Sequence, residues 1–146
     1  IDADSCPVAV RETIIRACRR TGITGIFVAN RPIPGVHGYC IEMELCPTES
    51  GAADDRIVEK AEPGDIVITR DIPLAARLVE KQIAVIDDRG TLYTSENIKE
   101  RLSVRDFFVS LSDNGLGMAR INSYGKKELK AFADGFDRAL TMLRKK

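Results

Sequence analysis

Short apolar runs alternate with amphipathic helical segments along the first two thirds of the chain. The runs at 23–29, 66–69 and 84–86 are rich in β-branched residues, as buried strands are. Apolar residues at helical spacing separate them at 7–21 and 71–81. This order predicts an α/β fold with a mainly parallel central sheet, because parallel neighbours need a crossover helix between them.

Further segments complete the predicted elements. Residues 39–45 alternate apolar side chains with glutamates, which is typical of a half-exposed strand near a sheet edge, and 52–61 is a predicted helix. Later come a helix at 95–111, a break at Asp113 to Gly117 and a helix at 126–143. The last helix carries an apolar stripe that faces either the core or a partner, so a homo-oligomer through this helix is one alternative.

The size of the chain fits a single domain. Its 146 residues, 44% of them hydrophobic, are enough for one core. We place that core at about 1–112 and a C-terminal helical extension at about 113–146. Basic and acidic residues number 22 each, so the formal charge is zero and any phosphate-binding surface has to be local.

The four cysteines indicate a reducing compartment. They lack the C-x-x-C spacing of structural zinc sites, and a chain of this size needs no disulfide framework. No apolar stretch is long enough to span a membrane, and nothing resembles a signal peptide. We therefore predict a cytoplasmic protein that does not bind a membrane. Because a motif follows Ile1 at once, we expect the native chain to extend upstream.

Acidic residues follow the ends of two predicted strands. Asp2 and Asp4 lie just past the first strand, and Asp71 lies two residues past Thr69, where another strand ends. The carboxyl ends of neighbouring parallel strands meet where the strand order reverses, and Asp54 and Asp55, in the first turn of the preceding helix, can lean over the same edge. Several carboxylates in one crevice repel one another unless a cation balances them. All-oxygen ligands suit Mg²⁺ or Mn²⁺, so this edge is a predicted metal site.

Each carboxylate also has an ordinary structural explanation. Asp71 precedes Ile72-Pro73 and suits a helix N-cap. Asp54 and Asp55 suit the positive end of a helix dipole. Asp2 is harder to explain, because a carboxylate at the end of a central strand is costly to bury without a partner. The set is therefore more informative than any single member.

An ordered series of motifs resembles an uncharacterised bacterial family. The motifs are Ile1-Asp2-Ala3-Asp4-Ser5-Cys6-Pro7, Val28-Ala29-Asn30, Ala53-Asp54, Pro63 to Ala76, Arg89-Gly90 and Arg105-Asp106-Phe107-Phe108. On these motifs the chain resembles the DUF188 family, also called UPF0178, which is grouped with PIN-like domains. The resemblance implies a three-layer PIN-like domain with additional C-terminal helices.

Similarity to PIN nucleases also implies roles for particular residues. The implied metal ligands are Asp2, Asp4, Asp54 and Asp71. Three of these four are the predicted catalytic residues, namely Asp2, Asp54 and Asp71. The residues expected to support them are Thr69, Asn30 and Asp55. Apart from the resemblance, arginines that flank the acidic edge can hold phosphate with two hydrogen bonds, and the candidates are Arg70, Arg31 and Arg11.

The expected activity is that of a Mg²⁺- or Mn²⁺-dependent nuclease that acts on RNA rather than DNA through a metal-activated water. Two alternatives stay open. Asp2-Ala3-Asp4 after a strand is similar to the D-x-D motif of haloacid dehalogenase-like phosphatases, although Cys6 stands where that family prefers Thr or Val. A non-catalytic module that binds RNA or a protein would keep the same fold.

Overall fold

A computed structural model of the chain describes residues 1–113 and 124–144. After a short 3₁₀ turn at Ala3–Ser5, its helices are α1 (Val8–Thr21), α2 (Ala52–Lys60), α3 (Ile72–Glu80), α4 (Ser95–Asp113) and α5 (Lys126–Arg144). Its strands are β1 (Gly25–Ala29), β2 (Ile41–Leu45), β3 (Ile66–Ile68), β4 (Ala84–Ile86) and β5 (Leu92–Tyr93). The α/β class predicted from the sequence is confirmed.

The strands pair mainly in parallel. β1 and β2 form one parallel pair, with Gly25 opposite Ile41 and Ala29 opposite Leu45. β3 and β4 form a second parallel pair, and β5 adds an antiparallel edge beside β4. The half-exposed β2 lies at an edge, as its alternating sequence predicts. β5 was not predicted, because two residues are too few to show an alternating pattern.

Residues 1 and 2 join the two groups of strands. The Ile1 nitrogen donates to the Ile26 carbonyl at 2.7 Å, and the Val28 N–H donates to the Ile1 carbonyl at 2.9 Å. On the other side, the Asp2 N–H donates to the Ile68 carbonyl at 3.0 Å. The spatial order is therefore β2, β1, residues 1–2, β3, β4, β5. The chain moves first to one side of residues 1–2 and then to the other, so Asp2 lies at the switch point where ligand crevices form.

Local sequence explains where two of the helices begin and end. α1 ends at Gly22, whose φ of 77° lets its N–H donate to the Cys18 carbonyl at 2.8 Å. α3 begins after Asp71, whose side chain accepts from the Leu74 N–H at 3.0 Å, and Pro73 lies in the first turn. The N-cap role considered for Asp71 is confirmed.

Apolar side chains form two buried clusters. α1 and α5 pack with Phe27 and Ile68 in the first cluster, and α2, α3 and α4 pack with Val28 and Val85 in the second. Phe27 and Val28 belong to different clusters because successive side chains of a strand point to opposite faces. The stripe of α5 places Phe132 in the first cluster with no exposed surface. A homo-oligomer through α5, and a division of the chain near residue 112, stay predictions.

α5 also packs against the turn between β4 and β5, backbone to backbone. A Cβ atom on Gly135 would lie 2.5 Å from the Gly90 carbonyl oxygen, and one on Gly90 would collide with the Ala131 carbonyl. Gly90 also has a φ of 81°. The close approach of helix and turn therefore requires glycine at both positions.

Within residues 1–113 and 124–144, no helix is long and apolar enough to cross a membrane. Of the break predicted at Asp113 to Gly117, only Asp113 belongs to the described residues, and 114–117 lie outside them. The cytoplasmic location stays a prediction.

Candidate metal centre

Asp2 is a buried carboxylate held by two hydroxyl groups. Only 5% of its surface is exposed. Its Oδ2 accepts from Thr69 Oγ1 at 2.7 Å and from Ser5 Oγ at 3.0 Å. Burial raises the pKa of Asp2, the charge of Asp71 adds to the rise, and the two hydrogen bonds oppose it. The hydroxyls therefore offset part of the cost of burying this carboxylate.

Thr69 connects Asp2 with Asp71. It is 1% exposed, and its hydroxyl donates to Asp2 while accepting from the Asp71 N–H at 3.0 Å. Asp71 Oδ1 in turn accepts from the Leu74 N–H at the start of α3. One chain of hydrogen bonds thus fixes both strand-end carboxylates. These two hydrogen bonds of Thr69 are consistent with the supporting role predicted for it, which stays a prediction.

The first turn of α2 separates two neighbouring aspartates. Burial, together with the charges of Asp71 and Asp2, raises the pKa of Asp54 from 3.8 to about 6. Asp55 is exposed instead and pairs with Arg77, its Oδ1 lying 3.0 Å from Arg77 Nη1. The helix therefore places Asp54 near the other carboxylates and Asp55 on the solvent side.

These carboxylates meet around one cleft of about 540 Å³. We call it the acidic cleft, and its polar lining residues are Asp2, Asp4, Ser5, Asn30, Glu49, Ser50, Asp54, Arg70 and Asp71. All four predicted metal ligands are among them, so the structure brings together side chains from distant parts of the sequence. Of the residues that the structure describes, five carboxylates and one arginine line the cleft, so this part of its lining is acidic. A second cavity of about 180 Å³ is lined mainly by apolar side chains and offers less chemistry.

Three polar lining residues were not predicted from the sequence: Ser5, Glu49 and Ser50. Ser5 had a usable signal, because it follows Asp2 by three residues within one turn and can reach back to it. Glu49 and Ser50 lie in the irregular loop before α2, where no periodic pattern shows which side chains face inward.

Asp4 and Asn30 contact each other within the lining of the cleft, whereas two of the three predicted arginines lie outside it. Asp4 Oδ2 accepts from the Asn30 N–H at 3.1 Å, and Arg31 Nε lies 3.8 Å from Asp4 Oδ1. Arg31 is therefore next to the cleft, whereas Arg11 on α1 does not line it. Burial raises the pKa of the Cys6 thiol to about 12, which favours a packing role over a nucleophilic one.

The carboxylates are near one another without forming a ready set of direct ligands. In the part of the chain that the structure describes, no three His, Cys, Asp or Glu side chains are grouped so as to hold one metal ion. Electrostatic repulsion still acts between Asp2, Asp54 and Asp71, because it reaches much further than a metal–oxygen bond. The Mg²⁺ or Mn²⁺ site therefore stays a prediction.

The fold and the acidic cleft define an α/β protein with carboxylates at the switch point of a mainly parallel sheet. The DUF188 family model, described as "Uncharacterized BCR, YaiI/YqxD family", matches residues 1–142. The chain belongs to this family, which confirms the resemblance seen in its motifs.

Similar proteins occur in several bacteria. A UPF0178 protein of Treponema pallidum is 47% identical over 98% of this chain and 81% of its own length. One of Syntrophobacter fumaroxidans is 43% identical, covering 97% of this chain and 92% of its own. One of Vibrio atlanticus is 41% identical, covering 96% and 95%. No solved structure matches the chain significantly.

Proposed function

We propose that the protein is a divalent-metal-dependent nuclease of the PIN-like type. The observation that supports it is the convergence of Asp2, Asp54 and Asp71 on the acidic cleft. Burial and mutual repulsion raise the pKa of Asp54 to about 6, and a bound cation relieves such repulsion. The all-oxygen lining suits Mg²⁺ or Mn²⁺ better than zinc.

The arrangement of helices and strands supports the PIN-like part of the proposal. α1 and α5 belong to one apolar cluster, and α2, α3 and α4 belong to the other. The strands between them run in the order β2, β1, residues 1–2, β3, β4. A three-layer domain of this kind carries its ligands at the carboxyl ends of the central strands. We favour RNA over DNA because the acidic motifs resemble those of PIN ribonucleases.

Each cleft carboxylate would have its own role in the proposed reaction. Hydrogen bonds from Thr69 and Ser5 hold Asp2 in place. Asp71 is held by the Leu74 N–H at the start of α3, so both carboxylates are preorganised. Burial and the charges of Asp71 and Asp2 raise the pKa of Asp54, so a bound cation would favour its ionised, ligating form. When bound, a divalent cation supplies positive charge to phosphate oxygens and lowers the pKa of a water molecule.

The test is cleavage of a panel of single-stranded and structured RNAs and DNAs with Mn²⁺. We expect cleavage of RNA that a chelator abolishes and that Asp2→Asn and Asp71→Asn both remove. Asp137→Asn is the matched control, because Asp137 forms an exposed ion pair with Arg20 outside the cleft.

Three outcomes would contradict the proposal. An inactive parent whose Asp2→Asn and Asp71→Asn variants bind Mn²⁺ as tightly as the parent would overturn both its activity and its metal site. Binding of Mn²⁺ without cleavage would favour a non-catalytic module. A beryllofluoride adduct on Asp2 would favour the phosphatase alternative.

A further inference from the structure

Among the described residues that line the acidic cleft, Arg70 is the one arginine, and it is paired with a carboxylate outside the cleft. Its Nε lies 3.2 Å from Asp88 Oδ2. The Arg70 side chain is 54% exposed, whereas that of Asp88 is 8% exposed. One partner is therefore buried, and the other is a half-exposed residue of the cleft lining.

Asp88 depends on Arg70 for compensation of its charge. Its Oδ2 is buried and accepts no hydrogen bond within the described part of the chain. Burial raises the pKa of Asp88, and the nearby Arg70 guanidinium opposes that rise. Arg70 is the largest of the charged groups that favour the ionised form of Asp88, ahead of Arg89. A buried carboxylate holds its main charged partner strongly, because losing that partner leaves much of its charge uncompensated.

The turn that carries Asp88 is itself well fixed. The Tyr124 hydroxyl donates to the Asp88 carbonyl at 2.6 Å. Asp87 Oδ1 accepts from the N–H groups of Arg89 and Thr91, both at 2.9 Å. Because these bonds hold the backbone on both sides of Asp88, its carboxylate is a stationary anchor for a flexible arginine.

We propose that Asp88 is a positioning residue that holds the Arg70 guanidinium at the acidic cleft to bind the phosphate of a phosphodiester beside the carboxylates. The ion pair occupies Nε, so the two terminal nitrogens of the guanidinium are left to form paired hydrogen bonds to phosphate oxygens. Without such an anchor, a long arginine side chain loses rotamer entropy when it binds, which weakens binding. The identity of the ligand rests on the proposed function.

A double-mutant cycle tests this proposal through binding rather than cleavage. The probe is a short end-labelled single-stranded RNA, and Ca²⁺ replaces Mn²⁺ so that binding is measured separately from hydrolysis. Asp88→Asn should weaken binding about tenfold, because an Arg70 side chain without its anchor loses rotamer entropy when it binds. In an Arg70→Gln background the same change should have almost no further effect. With Mn²⁺, Asp88→Asn should raise KM and leave kcat nearly unchanged.

Two controls distinguish the positioning of Arg70 by Asp88 from a general effect on the fold. Asp137→Asn removes an exposed carboxylate of another arginine pair and should leave binding unchanged. Circular dichroism checks that each variant is folded, and Asp88→Ser replaces Asp88→Asn in the cycle if the latter does not fold.

Equal weakening by Asp88→Asn in both backgrounds would show a structural role and overturn the inference. No weakening in the parent background, or no RNA binding by the parent, would overturn it as well. Tight, coupled binding without any cleavage in Mn²⁺ would support Asp88 and Arg70 as phosphate-binding residues while contradicting the nuclease.

Discussion

Replacing Asp54 by asparagine should stabilise the metal-free protein near neutral pH. The folded chain holds the pKa of Asp54 at about 6, against its ordinary value of 3.8. The folded state therefore binds this proton more tightly than the unfolded state does. It follows that the free energy of unfolding falls as pH rises from about 4 to about 6 and stays lower at higher pH.

The size of the effect follows from the same shift. The rise from 3.8 to about 6 is about 2 pKa units, which corresponds to about 3 kcal/mol of unfolding free energy when no solvent screens the charge. Asp54 is partly exposed, so solvent screens its charge, and we expect about 1 kcal/mol to remain. For a domain of this size, that is a rise of about 3 °C in Tm for Asp54→Asn.

The assay is thermal unfolding with a chelator present, at about pH 7.5 and at about pH 4. Asp55→Asn is the matched control, because Asp55 shares the start of α2 but pairs with Arg77 on the solvent side. We expect Asp54→Asn to exceed the parent's Tm at the higher pH and to approach it at the lower. Asp55→Asn should equal or fall below the parent at the higher pH. A Tm of Asp54→Asn no higher than the parent's, or a gain equal at both pH values, would refute the reasoning.

Three further expectations follow from the geometry. Thr69→Val keeps the shape of the side chain but removes hydrogen bonds to Asp2 and Asp71, and should lower the free energy of unfolding in urea by about 2 kcal/mol; unchanged stability would contradict these bonds. Gly135→Ala forces α5 away from Gly90 and should cost about 2 kcal/mol in the same assay, whereas a neutral result would contradict the close packing. Mn²⁺ should raise the parent's Tm more at about pH 7.5 than at about pH 5, because protons compete for the cleft carboxylates; equal rises would count against a carboxylate site.

The order of strands and helices could be predicted because its signals are local. Gly22 ends α1 and Pro73 starts α3 through their own backbone preferences. The apolar runs mark β3 and β4 for the same reason. β5, in contrast, is defined by pairing with β4 rather than by any pattern of its own.

The candidate site was only partly accessible to sequence reasoning. The strand-end rule places Asp2 and Asp71 at one edge, and the structure has both in the acidic cleft. Which of Asp54 and Asp55 turns inward depends on how α2 docks, which its short sequence does not show. The pairing of Arg70 with Asp88 depends on the packing of the β4–β5 turn and has no local signal.

The central claim is that the acidic cleft binds a divalent cation, and a crystal structure soaked in Mn²⁺ tests it most directly. The account predicts an anomalous peak in the cleft, with a carboxylate oxygen of Asp2 or Asp71 about 2.1 Å from the ion and waters completing its shell. A cleft without a peak at saturating Mn²⁺, or a peak bound only elsewhere on the protein, would contradict it.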